Sequence, residues 1–308
     1  ADGEIPKIVC MVIEDLRSGE ISRYWRNDLC KMKTPPFETG EDVAIVSYFA
    51  PAEVQSMLAL CWAINVSVID LFAEFRCQTN GDPNVGRKSL VSALQFYGLE
   101  QFIPEEKDSM RDLILSGGPW SETQRSAILD YCQQDVIALG PLLDAMLRRA
   151  PWSELKFNQA ILRGRYMKAV GAMQHRGIPI DLDIFDKLNA NWEDIKLNLI
   201  ENVDAQYGVY VDGRFKEALF QSYLAREGNP WPRLDSGRLA LDRNTFSNMS
   251  KRYPIVQPLH ELRKTLGEFK LNNLAVGRDG RNRTLLSPLA AKTGRNQPST
   301  TKFIFGPA

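Results

Sequence analysis

The chain has 308 residues, 44% hydrophobic and 25% charged, with a formal net charge of zero. That balance is expected of a soluble globular protein of two or three compact units and argues against a disordered or fibrous chain. No stretch nears the roughly 20 apolar residues of a membrane span, the amino terminus has no signal-peptide pattern, and five scattered cysteines with two histidines offer no zinc spacing.

Cys10, Cys30, Cys61, Cys77 and Cys132 are expected to be reduced, mostly buried thiols of an intracellular protein. A first residue other than Met and an end on Phe-Gly-Pro-Ala suggest a partial reading frame. The charge is uneven. Residues 251–308 carry eleven Lys or Arg against Glu261, Glu268 and Asp279, a surplus of eight that residues 1–250 offset with the opposite sign. Such asymmetry points to a polyanionic partner at the carboxyl-terminal end, or to no more than a solvated basic face.

In chain order, residues 7–14 read as a strand, Arg17 to Glu20 as a turn and residues 21–26 as the hairpin partner, because β-branched runs flank a Ser-Gly break. Residues 42–48 form a short apolar strand, 52–62 a helix with one apolar face, and 66–69 a brief strand ending at Asp70. Helices follow over 89–97, 105–115 and 121–149, the last opened by a capping box of Ser121 and Gln124. Strands first and helices after describe one α/β domain. Pro151 starts a new unit with helices over 155–175 and 183–206, a turn-rich stretch over 208–240, and a mostly helical 245–270. Gly277 to Gly280 reads as a hairpin turn leading into a strand over 283–287.

Two regions carry chemistry. In Tyr131-Cys-Gln-Gln-Asp135 the spacing of four puts a phenol and a carboxylate one turn apart on a single helical face. There an Asp can hold a divalent metal and a Tyr can position a water, half of a two-metal phosphodiesterase site. The second region runs from Gly280 to Gly306 and contains Thr293-Gly294-Arg295 amid basic residues. Between the two, Met173 to Asp181 contains Gly177, suited to end a helix at positive φ, and Asp181, suited to cap the next.

The run 127–136 resembles the third motif of DEDDy exonucleases. The element ending at Asp181 and the entry through Thr-Gly-Arg resemble family A DNA polymerases, in a version similar to some phage enzymes. The resemblance implies an α/β ribonuclease H-like exonuclease domain (1–150), a mainly α linker and thumb region (151–275) and the first strand and turn of a polymerase palm (276–308). It implies Tyr131, Asp135 and Glu53 as catalytic residues and Asp135 and Glu53 as metal ligands. The family usually has Asn and then Asp in its second motif; this chain has Phe49 and Glu53. Asp70 is expected to cap rather than ligate. Asp2-Gly-Glu4 reads as a terminus, not as the first motif, so the two-metal site is expected to lack a carboxylate pair.

For DNA binding the resemblance implies Arg295, as the arginine reaching the minor groove at the primer terminus, together with Thr293 and Gly294. Lys270, Arg263, Lys264 and Arg283 are read as phosphate contacts; Trp192, Trp231 and Tyr253 read as core. The implied parent is a cytoplasmic, monomeric DNA-directed DNA polymerase of a bacterium or phage-infected bacterium. It would use two Mg²⁺ or Mn²⁺ ions, deoxynucleoside triphosphates, primer-template duplex and a single-stranded 3′ end, with no membrane. The polymerase carboxylates are expected to lie beyond this stretch, so the fragment is not expected to polymerise. A stand-alone DEDDy exonuclease and a non-catalytic DNA-binding module are the alternatives.

Overall fold

The structure, a computed structural model, describes residues 3–103, 107–268, 273–298 and 302–304. The chain divides into two compact units: described residues up to Ile178 together with those from Val276 to residue 298, and Pro179 to Ala275 with residues 302–304. No helix among the described residues is long and apolar enough to cross a membrane.

The first unit opens with an antiparallel hairpin, β1 (Cys10–Glu14) and β2 (Ile21–Trp25), with Val12 opposite Arg23. Asp15 N–H to Glu20 O at 2.9 Å closes its turn, where Gly19 takes φ of 73°. After α1 (Arg26–Leu29), β3 (Gly40–Ser47) crosses over through α2 (Pro51–Ala59) to the parallel β4 (Val66–Asp70). A parallel pair needs such a crossover, because a tight turn cannot reverse the chain twice. Every sheet among the described residues has two strands. No single sheet joins β1 and β2 to β3 and β4, and the expected ribonuclease H-like domain is represented by an α/β arrangement of small sheets.

The α3 helix (Leu71–Gln78) starts where Asp70 accepts the N–H of Ala73 at 2.9 Å, followed by α4 (Leu90–Phe96) and α5 (Lys107–Leu115). Ser121 and Gln124 form the expected capping box of α6 (Glu122–Ile137). The expected single helix over 121–149 is two: α6 ends at Ala138 and α7 (Leu139–Arg149) follows. Pro141 is the cause, since it has no N–H for the ladder and its ring crowds the carbonyl four residues back. Leu71, Phe75, Leu94, Leu142 and Met146 form the core between α3, α4 and α7.

The long α8 (Glu154–Arg176) packs on α2 and β4, so it belongs to the first compact unit. Its inner face is Ala160, Gly164, Met167, Val170 and Gly171, a heptad-like stripe of small and apolar side chains, followed by buried Gln174, whose Oε1 accepts from Gln55. Lys168 Nζ donates to the carbonyls of Ile64 and Val66 at 2.8 and 2.7 Å. Arg163 forks onto Glu74 at 2.6 and 2.8 Å. Glu74 is 3% exposed, so its charge is desolvated only with that partner in place.

Gly177 ends α8 at φ of 62°, and after β5 (Ile178–Pro179) Asp181 caps α9 (Leu182–Ala190), both as the sequence suggested. The expected helix over 183–206 breaks at Asn191, whose side-chain amide donates to Lys187 O at 2.8 Å, and α10 (Trp192–Asp204) follows. A small hairpin, β6 (Tyr210–Val211) with β7 (Arg214–Phe215), leads to α11 (Glu217–Arg226). Pro254 splits the last helical stretch into α12 (Arg243–Arg252) and α13 (Gln257–Glu268). Phe220, Tyr223, Phe246, Val256 and Leu259 are the core of this second unit, with Trp231 and Tyr253 packed against it and Trp192 also buried. The tryptophans and Tyr253 are thus core, as expected.

In the returning segment, Gly277 to Gly280 makes the expected turn, with Gly280 N–H donating to Gly277 O at 2.9 Å. The strand there, β8 (Arg281–Asn282), ends before the expected 283–287, none of which is strand. Ser287 and Leu289 both lie at positive φ, which ends extended structure there.

Candidate functional site

Glu53 lies in the first turn of α2, Asp70 at the end of β4, and Tyr131, Cys132 and Asp135 on α6; the charges of Asp70 and Cys132 act on Glu53, and that of Asp135 acts on Cys132. Asp70 is fully buried and accepts two backbone N–H groups, Ala73 at 2.9 Å and Ala50 at 2.7 Å. It caps α3 and also pins the start of α2, the structural role expected. Burial raises its pKa to about 6, with those N–H groups pulling the other way.

Phe49, next to that pin, sits at φ of 80°, a region costly for a bulky side chain and easier for Asn. Its ring packs edge-on against Phe72 at 5.2 Å.

Glu53 is half-buried as a residue, yet its Oε2 is shut away from water without a hydrogen-bond partner. Burial pushes its pKa up to about 8, and the negative charges that Asp70 and Cys132 can carry push the same way. It therefore holds a proton at neutral pH.

Cys132 lies against Cys10 of β1, whose thiol donates to it; this lowers the Cys132 pKa and raises that of Cys10. The charge of Asp135 opposes ionisation of Cys132. Cys132 is thus the shared neighbour of Glu53 and Asp135. Tyr131 and Asp135, one turn apart on α6, are both half-buried.

The described residues do not fit a two-metal site. Among them no group of three His, Cys, Asp or Glu could hold a metal ion, and a carboxyl that keeps its proton near neutrality is a poor ligand. Asp2 lies outside the described residues. Glu4 is taken by Arg278, whose N–H and Nε approach its Oε1 at 3.0 and 3.2 Å.

Of the cysteines, Cys30, Cys61 and Cys77 are exposed and all five are free thiols, so "mostly buried" is corrected. Cys30 and Cys61 sit in turns following helices, where the chain faces solvent.

The buried Glu53 carboxyl makes stability depend on pH. Its folded pKa is raised above the ordinary 4.5, so its contribution is complete below 4.5 and is lost as pH rises through about 8. A full shift of this size corresponds to about 5 kcal/mol, which partial exposure of the side chain reduces to on the order of 3 kcal/mol. Glu53→Gln should therefore stabilise the protein by that amount at pH 9 and leave it nearly unchanged at pH 5. Urea denaturation at both pH values checks this; equal effects at the two would mean the carboxyl is hydrated.

On the basic side, the Thr293-Gly294-Arg295 turn is closed by Gly294 N–H to Ala291 O at 2.9 Å, with Gly294 at φ of 75°. Side chains from α3, the turn after it and α8 hold it. Arg76 donates to Ala290 O and Asn80 to Lys292 O, each at 3.2 Å, and the Tyr166 hydroxyl bonds the Asn296 side chain. Thr293, Gly294 and Arg295 are themselves exposed on this braced loop.

Two residues predicted as DNA contacts have internal partners. Arg283 is 8% exposed and bonds Asp279, His175 O and Gly3 O. Arg263 lies over the rings of Phe215 and Phe246 at 4.3 and 4.5 Å and donates to Leu241 O, with burial lowering its pKa. Lys264 is exposed, and Lys270 falls outside the described residues.

Sequence reasoning missed an open groove of 780 Å³ beside the Thr-Gly-Arg loop, lined by Leu162, Arg163, Arg165 and Tyr166 of α8 and by Leu289, Gly294, Arg295 and Asn296. The only signal in the sequence is that Leu162, Arg165 and Tyr166 share a helical face.

No protein-family model matches the chain, and no curated protein matches it. Among solved structures the chain is similar to the polymerase domain of Pol1 from M. smegmatis in complex with DNA primer-template and dNTP, with a TM-score of 0.57 and 16% sequence identity. The match covers 85% of this chain and 42% of that one, so the chain spans about two-fifths of that structure's length. At this identity the likeness is one of fold, that of a bacterial Pol I-type polymerase domain.

Proposed function

We propose that the chain is part of a DNA-directed DNA polymerase of the family A type, that it binds primer-template DNA, and that its first 150 residues are a DEDDy-like exonuclease domain that does not cut. The observation that carries this reading is the braced turn that leaves Arg295 exposed, within a fold like that of a polymerase domain solved with primer-template and dNTP. An arginine fork so held can test minor-groove acceptors common to all base pairs. Exposed Lys264 and Lys292 add sequence-independent attraction to phosphate. The carboxyl of Glu53, which keeps its proton near neutrality, argues against hydrolysis through a metal pair there.

Fluorescence anisotropy with a labelled primer-template tests the reading. Binding is expected to weaken linearly on a log–log plot against salt, with a slope of about −0.9 for each phosphate contacted. Arg295→Ala should weaken it about tenfold, equivalent to one lost charged hydrogen-bonding fork. No binding at low salt, or full affinity in the variant, would refute the reading. A 5′-labelled single strand with Mn²⁺ should stay intact; cutting that disappears in Asp135→Ala would make the protein an exonuclease in its own right.

A further inference from the structure

We propose that the groove between α8 and the Thr-Gly-Arg loop is a single-stranded DNA site in which Arg165 is a phosphate contact. This deepens the function proposed above and rests on it.

Three observations carry the inference. The first is charge. Arg165 and Arg295 are both exposed and face one groove from opposite walls, and no carboxylate is among the residues lining it. Arg163, which also lines the groove, is neutralised by Glu74; Arg165 and Arg295 have no acidic side chain within 4 Å among the described residues. Two uncompensated guanidinium groups at a concave surface favour a polyanion.

The second is the floor. Leu162 is 64% exposed, and with the Tyr166 ring and Leu289 it gives the groove an apolar base. A duplex turns its base faces inward and offers only phosphate, sugar and groove edges, whereas an unpaired strand can lay bases on such a floor while its phosphates meet the arginines. An apolar floor between cationic walls therefore matches a single strand better than a duplex.

The third is rigidity. Tyr166 is fixed by its bond to Asn296, and the opposite wall is anchored through Arg76 and Asn80, so the groove is preformed and not assembled on binding. Arg165 extends from the surface of a helix whose inner face is buried, which sets its distance from Arg295.

The test is anisotropy of a labelled 12-nucleotide oligo-dT and of a labelled 12-base-pair duplex, titrated with the full chain over a range of NaCl. Arg165→Ala should weaken oligo-dT binding five- to tenfold and flatten its salt slope by about 0.7, the value for one phosphate contact on a single strand. Duplex affinity should change less than twofold. Arg165→Lys should restore the slope, and Leu162→Ser should weaken oligo-dT binding two- to threefold without changing it. Both positions are exposed, so thermal melting of each variant should match the wild type. If Arg165→Ala leaves oligo-dT binding unchanged, or weakens duplex equally, the groove is not a single-strand site. The proposed polymerase reading would still stand provided Arg295→Ala weakens primer-template.

Discussion

Gly164→Ala is expected to cost more than about 4 kcal/mol, enough to detach α8 or unfold the first unit. A Cβ built on Gly164 lies 1.8 Å from the carbonyl oxygen of Val68 and 2.7 Å from its carbon. Those atoms are backbone of β4, buried on both sides, so neither rotamer change nor side-chain repacking relieves the overlap. Either the helix lifts off β4, uncovering Met167 and Val170, or the parallel β3 and β4 pair distorts. Gly171, seven residues on and on the same stripe, is a milder case: its Cβ would meet the Val54 side chain at 2.8 Å and Pro51 Cα at 3.0 Å. Gly267, with nothing within 4 Å and a helical backbone, is the control. Gly267→Ala should be neutral or stabilising by roughly 0.5–1 kcal/mol through helix propensity. Thermal and urea denaturation of the three variants should give that order; a Gly164→Ala protein melting within a few degrees of wild type would mean α8 does not approach β4 this closely.

What the sequence made legible was local. Ser121 and Gln124, Gly177 and Asp181, and the turn at Gly277 to Gly280 act through hydrogen bonds within a few residues, and each forms as expected. Helix interruptions at Ala138, Asn191 and Pro254 were hidden under apolar periodicity that continues on both sides of each break. The Gly164 and Gly171 stripe has no local signal, because the need for a missing Cβ comes from β4 and α2, which lie far away in the chain.

The candidate sites divide in the same way. Motif order offers Glu53 and Asp135 as candidates, but it does not show the enclosure of one Glu53 oxygen. The basic excess after residue 250 was visible as a count, and a count cannot separate an exposed Arg295 from an Arg263 laid between aromatic rings. Direction of the side chain is set by tertiary packing, and so is function.

Arg283 is where that distinction has its largest measurable effect. Its guanidinium is buried and meets the Asp279 carboxylate at 2.8 and 2.6 Å, His175 O at 2.7 Å and Gly3 O at 3.1 Å. These bonds tie the turn at Gly277 to the end of α8. Arg283→Met removes the donors and leaves two carbonyls short of partners, an expected loss of about 3–5 kcal/mol. Lysine keeps the charge but has no planar fork, so Arg283→Lys should recover less than half of it. The hydrogen bond from Arg283 holds Asp279 down to about 2, below its ordinary 3.8. A depressed carboxylate contributes stability that is present above 3.8 and lost as pH falls through 2. The gap between wild type and Arg283→Met should therefore be constant above pH 5 and narrow between pH 4 and pH 2. Because the guanidinium faces inward, the salt slope of primer-template binding should not change in the variant at temperatures where it stays folded. A variant that keeps its stability and flattens that slope by about 0.9 would instead put Arg283 on the DNA-facing surface.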